Sequence, residues 1–285
     1  MQVANCTGHL SDHIVSLDDI EWQRPWLAPF RETGQALIRS GDWLQTANQI
    51  AGAQGLKTAS DCAIVFVPQH HLPVDIAYEA HIHASGQVPT RDNLHDFFNT
   101  LVWLHFPQIK KTLNALHAAN AVIASNSTGV DNAIGFGTRG RARDAATLFD
   151  ENAAIFVCSD AQLADALRHH QWQFLLQQSP EDFFSKVSVV LFGHALMEKL
   201  VQPYKAITAH VWINRVEPMW FACGDGQRQE QIDFSVAAAI SAGFSSRDFA
   251  HLPVLGVPGW WPEQTSEFYD DPFVFRSLRP ALKTR

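Results

Sequence analysis

Apolar and polar residues alternate along this chain with two different periods, of which the helical period is the more frequent. Residues 62–67 (CAIVFV) and 153–158 (AAIFVC) are short, continuous, apolar and rich in β-branched side chains, which is typical of buried strands. Residues 205–216 alternate with a period of two and predict a further strand. The sequence therefore predicts an α/β or α+β fold that is mainly helical and has a small sheet.

Most other apolar positions recur at three- and four-residue steps and predict helices. Thr90 is a candidate N-cap of one helix, and Pro107 ends or kinks that helix. Ser179 and Pro180 open the clearest helical pattern, because a serine cap and a first-turn proline are both typical of helix starts. Residues 75–86 fit a strand, and a helical turn fits nearly as well. The predicted helices cover residues 24–51, 91–106, 108–121, 143–151, 160–172, 180–201 and 230–244.

The organisation of the chain follows from its length and from the segments without a period. With 285 residues and 31.8 kDa, it can form one large core or two closely packed lobes. We expect a poorly ordered N-terminal segment over 1–22 and a single globular domain over 23–285. Residues 252–285 are rich in proline and aromatic side chains, which predicts a long irregular segment wrapped over the core. Residues 125–140 have the composition of a long loop.

Charge and cysteine content narrow the class of protein. The 21 basic and 29 acidic residues give a net charge of −8, which disfavours bulk binding to nucleic acid or anionic lipid. The four cysteines are far apart and form no C-x-x-C pair, as is typical of reduced thiols. No targeting pattern or apolar stretch of membrane length is present. We therefore expect a cytoplasmic protein with no membrane partner, and its oligomeric state stays open.

A first concentration of polar residues lies in residues 89–99. Asp92, His95, Asp96 and Asn99 recur at three- and four-residue steps, so one helix face would carry two carboxylates, an imidazole and an amide. Such a face can hold a metal ion, position a water molecule for general-base catalysis or bind a polar ligand. The alternative is a capped, solvated helix surface on which the two aspartates only serve the helix start.

A second concentration lies in residues 139–152. Arg139 and Arg141 precede the short helix predicted over 143–151, and Arg143 begins it. Guanidinium groups and free backbone N–H groups at such a helix start favour a phosphate or a carboxylate. Asp150 and Glu151 add two carboxylates at the other end of that helix. The alternative is a network of arginine and aspartate that pins the preceding loop.

Fourteen histidines raise the question of a metal site. His81 and His83 would share one side of a strand, but they would diverge on a helix. His194 lies inside the helix predicted over 180–201, where a core histidine with a hydrogen-bond partner is the ordinary interpretation. The chain has no P-loop, G-x-G-x-x-G, H-E-x-x-H or G-x-S-x-G pattern, so the common nucleotide, zinc-protease and esterase motifs are absent.

Four stretches of the chain carry a family resemblance: VPTRDNLHDFFNTLVWLHFPQIKKTLN, RARDAATLFDEN, GHAL and LPVLGVPGWWP. They resemble a family of bacterial proteins, mainly proteobacterial, that is known only as a domain of unknown function. The resemblance covers about residues 65–276 and implies one continuous domain in a bacterial cytoplasm, but it transfers no catalytic residue. The pair His95-Asp96, with Asp144 and Asp150 downstream, is also similar to the histidine–aspartate phosphohydrolases, which are all-helical metal enzymes. The predicted strands depart from that fold.

The leading hypothesis is a hydrolase-like enzyme that acts on a small anionic substrate, such as a phosphorylated one. The predicted catalytic residues are His95, Asp96, Asp150 and Glu151, the predicted ligands of a divalent metal are His95, Asp96 and Asp150, and the predicted substrate-binding residues are Arg91, Asn99, Arg141 and Arg143. The competing hypothesis is a non-catalytic protein that binds a ligand or a partner and uses the same residues as a structural polar network. Nucleic-acid processing through residues 139–143 is a third hypothesis, which the acidic net charge disfavours.

Overall fold

The computed structural model describes residues 15–126 and 136–278, without the side chains of 120–126 and 136–140. In these ranges the helices are α1 (Arg31–Arg39), α2 (Trp43–Gln54), α3 (Tyr78–Ser85), α4 (Leu94–His105), α5 (Pro107–Asn126), α6 (Phe136–Asn152), α7 (Ala161–Arg168), α8 (Trp172–Leu176), α9 (Pro180–Phe184), α10 (His194–Lys199), α11 (Asp225–Ala242) and α12 (Ser266–Tyr269). The strands are β1 (Val65–Pro68), β2 (Gln87–Thr90), β3 (Ala153–Cys158), β4 (Val187–Leu191), β5 (Thr208–Arg215) and β6 (Ala250–Pro253). No described helix is both long enough and apolar enough to cross a membrane.

The larger sheet has four strands in the order β4-β3-β5-β6. β3 pairs in parallel with β5 and antiparallel with β4, and β6 pairs antiparallel with β5. All six residues of β3 are buried, which explains why this strand is apolar throughout instead of alternating. The strands predicted over 153–158 and 205–216 are confirmed.

A second, two-stranded sheet joins β1 and β2 in parallel. The strand predicted over 62–67 is confirmed in a shifted form, because β1 runs from Val65 to Pro68. Within residues 75–86 the chain forms α3, over Tyr78–Ser85, and not a strand, so the helical alternative is confirmed. His81 and His83 therefore diverge, as two residues of a helix two positions apart must.

Helix α4 is the most buried helix in the described part of the chain. Ten of its twelve residues are buried, including Asp96 and Asn99, so the solvated-surface interpretation of this helix is wrong for these two residues. Its N-cap is Asn93, whose side chain accepts a hydrogen bond from the backbone N–H of Asp96 over 2.8 Å. The predicted cap Thr90 instead ends β2. Pro107 begins α5, as its missing N–H allows.

The single helix predicted over 180–201 is wrong beyond its first turn. Ser179 caps α9 and Pro180 begins it, as predicted, but α9 ends at Phe184. The chain then forms β4, beside β3, and only afterwards α10. A short buried strand and a buried helix have the same apolar composition, and that explains the error.

The helix predicted over 143–151 begins much earlier, at Phe136. Arg141 and Arg143 therefore lie inside α6, where the backbone N–H groups are already bonded within the helix. The predicted anion site at a helix start is wrong for these two residues. Both ends of the predicted loop 125–140 are helical, and its central residues 127–135 lie outside the described residues. The same holds for residues 1–14 of the predicted N-terminal segment.

The C-terminal segment contributes aromatic side chains to the core. Trp260, Phe268, Tyr269 and Phe275 are buried, and the ammonium group of Lys205 lies 4.5 Å from the ring centre of Phe268. With its many helices and two small sheets, the protein has the mainly helical α+β fold that the sequence predicts.

Candidate functional site

Three helices bring one functional side chain each to a common point. His95 lies in the first turn of α4, Glu151 in the last turn of α6, and His194 is the first residue of α10. α10 packs against both α4 and α6. We call His95, Glu151 and His194 the triad.

Gly193 allows α10 to begin against the junction of α6 and β3. Its backbone N–H donates to the carbonyl oxygen of Ala153 over 2.8 Å. A Cβ atom at position 193 would lie only 2.5 Å from the carbonyl oxygen of Glu151 and from the backbone nitrogen of Ala153. Only glycine fits this approach, and the approach sets His194 beside Glu151.

The ligating atoms of the triad are close enough to share one ion. The Nε2 atoms of His95 and His194 are 3.0 Å apart, and Nε2 of His194 lies 3.6 Å from Oε2 of Glu151. All three ligating atoms lie within 4.8 Å of one another. A tetrahedral zinc ion with bonds of about 2.0–2.1 Å holds its ligand atoms about 3.3 Å apart, so the spacing suits such an ion.

A neighbouring carboxylate orients the imidazole ring of His95. Nδ1 of His95 lies 2.9 Å from Oε2 of Glu198, a carboxylate on α10 that accepts its N–H. Nε2 of His95 therefore presents a lone pair to the triad. Nδ1 of His194 is shielded from solvent and has no hydrogen-bond partner among the described residues.

The electrostatics of the triad favour an uncharged imidazole at its buried end. Burial lowers the pKa of His194 to about 4, against an opposing effect of the Asp150 carboxylate. Burial also raises the pKa of Glu151, and the charge of Asp150 adds to that increase. His194 is therefore neutral at pH 7, the state in which histidine binds metals.

A closed polar network lies next to the triad. Nζ of Lys110 is 2.6 Å from Oδ1 of Asp150 and 2.9 Å from Oδ1 of Asn99. Asn99 also donates to the hydroxyl of Tyr78 over 3.3 Å. Burial alone would raise the pKa of Asp150, but Lys110, assisted by His194, holds it below its usual value. We call Tyr78, Asn99, Lys110 and Asp150 the closed network, because its members bind each other.

Asp96, a predicted metal ligand, binds Arg91 and contributes no atom to the triad. Its Oδ2 accepts from the backbone N–H and from Nε of Arg91 over 2.6 and 2.9 Å, and its Oδ1 accepts from Nη2 over 3.0 Å. Asp150, the other predicted aspartate ligand, pairs with Lys110. Of the predicted residues, the structure thus brings only His95 and Glu151 into the triad.

The predicted substrate-binding residues do not converge. Asn99 belongs to the closed network, whereas Arg141 and Arg143 are exposed on α6. Arg143 precedes Glu151 by eight residues, which is about 12 Å along a helix. The two α6 arginines therefore lie about two helical turns from Glu151, whereas Arg91 is within electrostatic range of Glu198, which binds His95.

Sequence reasoning missed His194 as a site residue, and it missed Glu198 and Lys110 altogether. His194 and Glu198 are four residues apart, a spacing that places two side chains on one face of a helix. The apolar residues that flank His194 predict one long helix with a core histidine, so this spacing alone does not identify a site. Lys110 gave no signal, since a lysine in an amphipathic helix is usually exposed.

The family model described as protein of unknown function (DUF3025) matches residues 64–279. Among curated proteins and among solved structures, none is significantly similar to this chain.

Proposed function

We propose, from the premise that this chain belongs to the family described as protein of unknown function (DUF3025), that it is a metal-dependent hydrolase. In this proposal His95, His194 and Glu151 hold one divalent ion. Two imidazole nitrogens and one carboxylate oxygen form a ligand set that zinc accepts, and a set of two histidines and one glutamate is known from catalytic zinc sites.

One observation carries the proposal. The two Nε2 atoms of the triad face each other at 3.0 Å, Glu198 binds the opposite side of the His95 ring, and Oε2 of Glu151 lies 3.6 Å from Nε2 of His194. Without an ion, one Nε2–H donates to the other Nε2, and Glu151 stays outside this hydrogen bond. A metal ion that replaces this proton would bind both imidazoles and the carboxylate at once.

The number and exposure of the ligands favour catalysis over a structural role. Structural zinc sites are closed by four protein ligands, whereas catalytic sites have three and leave one position to water. Here the side chain of His194 is 4% exposed, but those of His95 and Glu151 are 31% and 35% exposed. The triad is therefore anchored on one side and open to solvent on the other.

Each residue has a defined part in the proposed reaction. A divalent ion held there would lower the pKa of a bound water molecule to about 7 and so supply hydroxide at neutral pH. Ester hydrolysis would place the oxygen of that water on the electrophilic atom and break the bond to the leaving group, which would take up the proton that the water loses. The triad would hold the ion, Glu198 keeps the ring of His95 in position, and the close approach of Gly193 places His194.

The proposal includes a cytoplasmic location. Cys62, Cys158 and Cys223 are free in the described part of the chain, and burial raises the pKa of the Cys158 thiol. Free, unreactive thiols suit a reducing compartment.

Chelation and reconstitution test the proposed function. Protein stripped by a chelator is assayed against p-nitrophenyl phosphate, bis-p-nitrophenyl phosphate and p-nitrophenyl acetate before and after one equivalent of Zn²⁺, Mn²⁺ or Co²⁺. We expect hydrolysis of at least one ester with metal, none without it, and none in His194→Ala. His70→Ala, which removes an exposed histidine, should retain full activity. Hydrolysis that survives chelation or the loss of His194, or its absence from metal-loaded protein, would contradict the proposal.

A further inference from the structure

Arg91 is held in a fixed orientation at the entrance to α4. Its backbone N–H and two guanidinium nitrogens all donate to the carboxylate of Asp96, at distances of 2.6, 2.9 and 3.0 Å. The Asp96 side chain is only 7% exposed and sits in the first turn of a buried helix. The guanidinium group is therefore oriented before any ligand arrives, so binding costs less side-chain entropy.

The outer side of this guanidinium group is available to a ligand. The Arg91 side chain is 57% exposed. Of the five N–H donors of an arginine, the two bonds to Asp96 occupy one on Nε and one on Nη2. The remaining donors include a pair whose planar geometry matches two oxygens of a phosphate or a carboxylate.

Arg91 also lies near Glu198, the residue that binds His95. Its partner Asp96 directly follows His95 in the first turn of α4. The Asp96 carboxylate raises the pKa of Arg91, burial opposes this, and Glu198, which binds His95, adds a smaller increase. Glu198 is thus within electrostatic range of both groups.

Arg91 also changes the net charge around the triad. A divalent ion and Arg91 together balance the carboxylates of Glu151, Glu198 and Asp96. Without Arg91 the same region would carry a net negative charge and would repel an anion.

We infer that Arg91 is the anion-binding residue of this site and that the substrate is a phosphate ester whose phosphoryl oxygens it holds beside the metal. The inference rests on the proposed function and names its substrate class. A carboxylate offers the same planar pair of oxygens, so the experiment includes both anions.

Binding of inorganic phosphate to the zinc-loaded protein tests this inference, with the zinc content of every sample measured in parallel. Arg91→Ala should weaken phosphate binding, followed by calorimetry, by about 10- to 100-fold, as expected for the loss of charge-assisted hydrogen bonds. Arg91→Lys should bind with intermediate affinity, because a lysine retains the charge but not the planar pair of donors. The matched control is Arg168→Ala, since Arg168 is 52% exposed and pairs with Asp165 on α7.

The outcomes separate this inference from the proposed function. Zinc-loaded Arg91→Ala with unchanged phosphate affinity would overturn the role of Arg91 and leave the metal site intact. If acetate binds to the wild-type protein more tightly than phosphate does, the assignment of a phosphate ester as the substrate is overturned. If Arg91→Ala fails to fold because Asp96 is left buried and unpaired, the double variant Arg91→Ala/Asp96→Asn replaces it, with the same expected loss. A wild-type protein that retains no zinc after loading would instead count against the proposed function.

Discussion

Asp150 and Glu151 are adjacent carboxylates at the end of α6, yet they belong to two different regions. Asp150 is 9% exposed and lies in the closed network, where Lys110 neutralises it at 2.6 Å. Glu151 reaches the open triad, where its nearest named partner is a histidine at 3.6 Å. One residue along the chain thus separates a satisfied carboxylate from one that is only loosely contacted.

The two regions differ in whether their polar groups already have hydrogen-bond or ion-pair partners. In the closed network, donors and acceptors match, so its members stabilise the packing of α3, α4, α5 and α6. In the triad, Nδ1 of His194 has no partner among the described residues and Glu151 lies 3.6 Å from its nearest named neighbour, so an added cation would supply a missing partner. A buried polar cluster can therefore belong to the scaffold or to the site, and the matching of its donors and acceptors indicates which.

The largest expected effect comes from breaking the closed network. Lys110→Met leaves the Asp150 carboxylate buried without its counter-ion, and breaking such a pair typically costs about 3–5 kcal/mol. We expect the free energy of unfolding, measured with urea, to fall by this amount.

A matched exposed pair provides the control for that variant. Lys186 and Asp160 are 3.3 Å apart, with 54% and 28% of their side chains exposed. Lys186→Met should cost less than about 1 kcal/mol. Equal losses in the two variants would show that the Lys110 pair is no more important to stability than a surface pair.

The next largest effect is expected on the pH dependence of stability, through His105, a buried histidine outside both regions. Burial lowers the pKa of His105 to about 4, partly offset by the side chain of Gln229, and its ring packs 4.8 Å from that of Phe30. The unfolded chain, with a histidine pKa near 6.5, binds more protons between pH 4 and 6.5, so stability falls as the pH falls through this range.

His105→Phe removes this proton linkage and retains an aromatic ring. The variant should lose less stability than the wild-type protein between pH 6.5 and pH 4, by about 3 kcal/mol at most. Urea unfolding at a series of pH values measures the difference. Parallel stability curves for the two proteins would show that His105 is protonated in the folded state.

A smaller effect is expected from the residue that orients His95. Glu198→Ala should weaken zinc binding by about 10- to 100-fold, as is typical when the partner of a metal-bound histidine is removed. Glu198→Gln, which keeps a hydrogen-bond acceptor, should recover part of the affinity. Competition with a chromogenic chelator measures both, with Glu217→Ala as an exposed control. A loss no larger than that of the control would remove Glu198 from the site.

The sequence predicts those parts of the fold and site that depend on local pattern. The apolar run that forms β3 and the Ser179–Pro180 start of α9 both follow from neighbouring residues. His95 and Glu151 are predicted site residues because each lies in a segment where polar residues are concentrated.

What the sequence did not predict depends on contacts between distant residues. His95 meets Glu198 and His194 across 103 and 99 positions, and no local period reports these contacts. Asp96 was a reasonable candidate ligand beside His95, but its orientation is decided by Arg91, five residues earlier.

Cobalt binding tests the central claim most directly, because Co²⁺ replaces zinc and its visible absorption reports coordination number. The wild-type protein, stripped of metal, should bind one equivalent with the intense absorption of a four- or five-coordinate site. The same spectrum is expected for His70→Ala but not for His194→Ala or Glu151→Gln. A wild-type protein that binds no stoichiometric cobalt, or His194 and Glu151 variants that bind it unchanged, would contradict the claim that the triad is a metal site.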